Sequence, residues 1–141
     1  MKTAAVEYEV RREIPDTETY ISIRLAAGLS RKSPEAAATG LRNSLFGVVA
    51  YSDGTPVGIG RVIGDGGCFF QIVDIAVLPE YQKQGIGRAI MEKLMEYIRR
   101  EAPPTAYVSL MADHGTPDFY EKFGFEKATL PKKSGMFLRI L

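Results

Sequence analysis

The sequence is short of cysteine, histidine, net charge and long apolar runs, and each shortage excludes a class of protein. Cys68 is the single cysteine in 141 residues, so no internal disulfide can form and the composition suits a reducing compartment. His114 is the only histidine, and no metal is expected. Eighteen Lys and Arg against seventeen Asp and Glu leave a formal charge of +1. That is not the cationic surplus of a nucleic-acid binder. The opening MKTAAVEYEVRREI lacks the apolar core of a signal peptide, and no later stretch approaches a membrane span. The expectation is a soluble, cytoplasmic protein with neither nucleic acid nor membrane as partner.

What is present describes an ordinary globular chain. At 45% hydrophobic and 25% charged residues it can build a packed core, and its length suits one domain over 1–141 rather than two. Val6, Tyr8 and Val10 alternate with charged residues, the period of a half-buried strand. Asp16 can cap a helix that Gly28 ends, and Ser33-Pro34 opens a second helix. Leu45 to Tyr51 and Val57 to Ile63 read as strands joined at Asp53-Gly54. Phe69 to Leu78, broken only by Gln71 and Asp74, reads as a strand covered on both faces and as the centre of the sheet.

Ile86, Ile90, Leu94, Tyr97 and Ile98, widened by Met91 and Met95, form the apolar stripe of a long helix, with Glu96 and Arg100 spaced as an ion pair on its polar side. Pro103-Pro104 ends it. A strand over Tyr107 to Met111, a short helix from Thr116-Pro117 to Gly124, and strands at Phe125 to Ala128 and Met136 to Leu141 complete the chain. The order predicts an α/β fold, a mixed central sheet flanked by helices. The strand from Phe69, the helix from Gly85 and the strand from Tyr107 make a βαβ-like unit, whose strand carboxyl ends are where ligands bind.

At that place lies Pro79-Glu80-Tyr81-Gln82-Lys83-Gln84-Gly85-Ile86-Gly87-Arg88. A glycine pair at a helix start turns backbone N–H groups toward an anion, and the helix dipole favours a phosphate there. The same spacing also serves a tight turn with no ligand. A dinucleotide fingerprint would need glycine at Ile90, and a Walker loop would need Gly-Lys before Ser or Thr, so neither is completed.

Gln82, Gly85 and Gly87 match the Gln/Arg-x-x-Gly-x-Gly/Ala motif, and the segment VDIAVLPEYQKQGIGRAIM resembles the strand, loop and helix that carry it in the GNAT superfamily of acetyl-CoA-dependent N-acetyltransferases. DFYEKFGF, from Asp118 to Phe125, resembles that family's late helix and following strand. The resemblance implies a GNAT-like fold along nearly the whole chain. It implies that backbone groups of Gln82, Lys83, Gln84, Gly85, Ile86, Gly87 and Arg88 hold the CoA pyrophosphate, and that Ile75, Ala76 and Val77 line the pantetheine arm. It implies acetyl-CoA as acyl donor, a small-molecule primary amine as acceptor, and a possible homodimer.

For the chemistry, the resemblance points to Tyr120 as general acid. A phenol with pKa near ~10 stays protonated at neutral pH and can donate to the departing thiolate; the other role open to it is packing beside Phe119 and Phe123. The acceptor poses the opposite problem, because neutralising an alkylammonium of pKa ~10.4 at pH 7 costs about 4 kcal/mol. The strand where relatives place a base offers Gln71, which cannot titrate, and Asp74, which can capture or deprotonate the amine or hold an irregular backbone. His114 is a second candidate base, or a surface residue. Asp113 stands where many relatives carry a cofactor-contacting Asn, which puts that contact in question. Cys68 lacks a nearby activating histidine and is expected to pack in the interior. Two other functions share these features: a protein or peptide N-acetyltransferase, and a non-catalytic CoA-binding regulator on the same scaffold.

Overall fold

A computed structural model of the protein describes residues 6–112, 117–129 and 135–140. It divides into two compact units, Met1–Val108 and Ser109–Leu141.

The first unit opens with β1 (Glu9–Arg12), then α1 (Thr17–Ala26) and α2 (Pro34–Arg42). Both helices start as their sequences require: Asp16 Oδ1 accepts the Thr19 N–H at 2.8 Å, and Ser33 Oγ accepts the Ala36 N–H at 3.1 Å. β2 (Phe46–Ser52) and β3 (Thr55–Gly64) form a hairpin across Asp53 and Gly54, whose φ of 50° and 75° give the left-handed pair that a two-residue turn needs. β4 (Phe69–Val77), a 3-10 turn at Pro79–Tyr81, α3 (Ile86–Glu101) and β5 (Tyr107–Ser109) follow. Among the described residues the sheet runs β1-β2-β3-β4-β5, mixed, with the first four strands antiparallel. β3 is therefore its middle strand, not the strand from Phe69; β4 lies one place in from the edge, because the α3 crossover sets β5 on its far side.

Side chains alternate between faces along β3, and this sorts the helices. Gly58 and Gly60 face α3, while Ile59 and Arg61 face α1 and α2. Tyr20, Ile23, Ala37, Leu41, Val49, Ile59 and Ala76 pack together on the second side. On the first, α3 buries Ile86, Ile90, Met91, Leu94, Met95, Tyr97 and Ile98, and Tyr97 stacks on Phe46 with ring centroids 4.6 Å apart. The stripe expected from sequence is the one buried, but its polar side is wired differently. Glu96 pairs with Lys93 at 3.8 Å and Arg100 with Glu101 at 3.1 Å, rather than with each other. These are exposed pairs in which several partners are nearly equivalent.

The second unit contains α4 (Pro117–Glu121). β5 ends at Ser109, two residues short of the expected strand, and residues 125–128 and 136–140 have no strand pairing. The two closing strands expected from sequence are thus absent among the described residues. Met136 and Ile140 are each 90% exposed, and an apolar run becomes a strand only where another edge receives it.

Gly60 sets how closely α3 approaches the sheet. A Cβ there would lie 2.6 Å from Ile90 Cγ2 and 3.1 Å from Leu94 Cδ1, both fully buried. Gly60→Ala is expected to lower the unfolding free energy by about 1–3 kcal/mol through overpacking. Urea denaturation measures this, and an unchanged midpoint would mean that α3 lifts from the sheet without cost.

Candidate cofactor and catalytic site

The chain leaves β4 at Val77, makes the 3-10 turn and enters α3 through a loop with two left-handed residues, Lys83 (φ 63°) and Gly85 (φ 87°). Gln82 is a tie within this loop: its Nε2 donates to the Val77 carbonyl at 2.9 Å and pins the loop to the strand end. The residues before β1 reach the same loop, with the Val6 N–H donating to Gln84 Oε1 at 3.2 Å and the Tyr8 hydroxyl to the Gly85 carbonyl at 3.4 Å.

The first intrahelical bond of α3 runs from Ala89 to Gly85, so the N–H groups of Ile86, Gly87 and Arg88 precede the ladder. Among the described residues no side chain caps them, and the first turn holds no acidic residue. The two glycines serve different ends. Gly85 is required by its positive φ, whereas a Cβ on Gly87 would meet only Val77 Cγ2 at 4.0 Å. Among the described residues nothing demands glycine at 87, and the space a side chain would fill opens at the uncapped helix start. Free N–H groups, a positive dipole end and open space suit a pyrophosphate.

β4 is irregular just upstream. Ile59 pairs with Ala76 and Arg61 with Val73, so Gly60 alone opposes both Asp74 and Ile75. This is a β-bulge, and Asp74 within it has φ 62°. Its carboxylate is buried among three donors. Arg24 Nη1 donates to Oδ1, Arg61 Nε to Oδ2 at 2.7 Å and the Tyr20 hydroxyl to Oδ2 at 3.0 Å. Arg61 also donates to Gly40 O and Ser44 Oγ in and after α2, and Arg24 to Ser30 in the α1–α2 loop. The Tyr20 ring lies beneath both guanidinium groups, 5.6 and 5.3 Å from their centres. Burial, reinforced by Asp74, pushes the Tyr20 phenol above its ordinary value and keeps it a donor.

A family model described as an acetyltransferase (GNAT) domain matches residues 43–127, more than half of the chain. The chain belongs to the GNAT acetyltransferase family. A crystal structure of a protein of unknown function from meticillin-resistant Staphylococcus aureus, described as a probable acetyltransferase, is 47% identical, with a TM-score of 0.89 over 95% of this chain and 100% of that one. Serotonin N-acetyltransferase 2 of rice is 30% identical over 86% of this chain and 63% of its own length. The ribosomal protein bS18-alanine N-acetyltransferase of Escherichia coli K12 is 35% identical over 42% of this chain and 40% of its own length. The chain spans less than two-thirds of the length of these two curated relatives.

In this GNAT chain the cluster around Asp74 was only partly visible beforehand. Arg24, Arg61 and Tyr20 were missed, although Arg61 interrupts an apolar β3 and Arg24 follows Tyr20 by four residues on the buried side of α1. Tyr120 lies in α4 of the second unit, its ring edge-on to Phe119 at 5.0 Å; Phe119 also meets Phe123 at 5.5 Å. Asp113 and His114 lie outside the described residues. Cys68 is exposed, contrary to expectation. Asp65 Oδ1 accepts the N–H groups of Gly67, Cys68 and Phe69 at 2.8, 2.9 and 3.0 Å, building a turn that leaves Cys68 at the surface. Those backbone donors, Phe69 foremost, hold the Asp65 carboxyl below its usual range. A surface concavity lined by Arg12, Glu13, Ile14 and Ser44 to Gly47 contains none of the residues named for acetyl transfer. No group of metal-ligating side chains occurs among the described residues, and no described helix is long and apolar enough to cross a membrane.

Asp74→Leu strands two guanidinium groups that are 8% and 9% exposed. The unfolding free energy is expected to fall by about 3–5 kcal/mol, as when one partner of a buried ion pair is removed. Urea denaturation checks it, and a loss below about 1 kcal/mol would match a solvent-exposed pair instead.

Proposed function

We propose that this chain transfers the acetyl group of acetyl-CoA to a primary amine of a small molecule. The observation that carries the proposal is the uncapped start of α3 at Gly87, open where a pyrophosphate would sit and joined through Gln82 to the end of β4. In this reading the backbone of Gln82 to Arg88 receives the pyrophosphate, and Ile75, Ala76 and Val77 line the pantetheine arm. The neutral amine nitrogen attacks the thioester carbonyl directly, the carbon–sulfur bond breaks, the Tyr120 hydroxyl gives its proton to the leaving sulfur, and the proton shed by the nitrogen passes through water to restore the phenol. Asp74 does not take the amine's proton in this scheme, because its carboxylate is buried and each oxygen already accepts from a guanidinium, Oδ2 from the Tyr20 hydroxyl as well. A cytoplasmic location accords with an exposed free thiol, which persists in a reducing compartment.

A protein acceptor is the second reading, favoured by similarity to the bS18-alanine enzyme. A panel of small primary amines and of peptides with free N-termini, assayed for CoA release, separates the two. Turnover is expected with a small amine. Gly87→Glu should abolish acetyl-CoA binding in calorimetry while the protein remains folded, since it puts bulk and a negative charge at the helix start. Unchanged affinity would remove the loop as the cofactor site, and binding without turnover on any amine would favour a regulator.

Tyr120→Phe keeps the ring that packs on Phe119. Acetyl-CoA affinity should stay the same while kcat falls by about 10²–10⁴-fold, the usual contribution of a general acid. An acyl donor with a much more acidic thiol should recover part of the rate, because its leaving group needs no proton. Full kcat with acetyl-CoA, under conditions where chemistry limits the rate, would assign the protonation to another group.

A further inference from the structure

The bulge in β4 is clamped from both faces, and the proposed chemistry uses neither clamp. On one face Gly60 lets Ile90 and Leu94 of α3 press against the strand pair. On the other, Arg24, Arg61 and Tyr20 converge on the Asp74 carboxylate. With φ at 62°, Asp74 occupies a conformation that an L-residue enters only at a cost, and the three donors supply the interaction that holds it there. Buried ionic clusters stabilise no better than apolar packing of equal volume. This one also leaves Arg24 Nε without an acceptor, alone among buried side-chain polar atoms of the described residues. A cluster that is an inefficient stabiliser yet locks one backbone conformation points to a positional role.

We propose that Arg61 and Arg24, acting through Asp74, are positioning residues for acetyl transfer. They hold the left-handed bulge, and the bulge sets the direction in which the backbone of Ile75, Ala76 and Val77 faces. This rests on the reading that those three residues line the pantetheine arm. The effect is confined to one half of the donor. The nucleotide half belongs to the Gln82 to Arg88 loop, which lies beyond the bulge and has ties outside β4, from the Val6 N–H to Gln84 Oε1 and from the Tyr8 hydroxyl to Gly85 O. Loosening the cluster weakens the grip on the arm and leaves the nucleotide grip intact.

The test titrates Arg61→Met and Asp74→Asn with acetyl-CoA and with 3′-phospho-ADP, the nucleotide half of CoA, by calorimetry at a temperature where circular dichroism shows each variant fully folded. Both substitutions are milder than Asp74→Leu: Arg61→Met leaves Asp74 paired with Arg24, and asparagine tolerates a left-handed backbone. Acetyl-CoA affinity should drop about tenfold, the scale of one lost hydrogen bond to the arm, with 3′-phospho-ADP affinity unchanged. Arg61→Lys should recover most of the loss by restoring a cation. Equal losses on both ligands, a larger loss on the nucleotide, or no loss on either overturns the proposal, equal losses marking a purely structural cluster. Failure of the underlying reading shows in the wild-type protein instead, as acetyl-CoA binding no tighter than the nucleotide fragment, and it removes both.

Discussion

The Asp74 carboxylate sits in the layer between the sheet and helices α1 and α2, and the surrounding elements are placed so that a donor reaches it. Arg24 comes from α1, Arg61 from β3 and Tyr20 from the first turns of α1. The arginines extend the connection to the end of α2 and to the α1–α2 loop. One group therefore joins two helices, a loop and two strands. Because a buried charge is tolerated only when paired and hydrogen-bonded, moving any of these elements leaves a partner unsatisfied. The irregularity of β4 and the seating of α1 and α2 become a single constraint.

The opposite face of the sheet depends on closeness rather than charge. Gly58 and Gly60 give α3 room to lay Ile90 against β3, and α3 in turn carries the uncapped N–H groups of its first turn to the end of β4. The distinction between Gly85 and Gly87 belongs here. The first glycine makes the turn possible, and the second leaves open the place to which the helix dipole points. The path of the backbone and the open space beside it come from different residues of a single motif.

Much of the first unit was legible in the sequence because its signals are local. Asp16 and Ser33 cap the helices they precede, Asp53-Gly54 makes the hairpin, and the stripe from Ile86 to Ile98 is the face that α3 buries. The turn at Gln82 to Arg88 was equally visible, since its glycines and the start of α3 lie in consecutive residues. The failures share the opposite cause. Residues 136–140 have a strand's composition and no partner, Cys68 is turned outward by the carboxylate of Asp65 three positions earlier, and Glu96 chose between two nearby cations. In each case a competition among neighbours, not the residue's own preference, sets the result.

By itself, then, the sequence determined the helices, the hairpin and the glycine-bearing turn into α3, where each residue's partner lies within a few positions and propensity, capping or periodicity decides. Asp74 marks the boundary of that reach. Its polarity within an apolar strand announced that it needed partners, but those partners stand 13, 50 and 54 residues away. Only the tertiary structure decided which groups they were, because bringing two arginines and a phenol onto one carboxylate requires the strand register and the seating of α1 to be settled together.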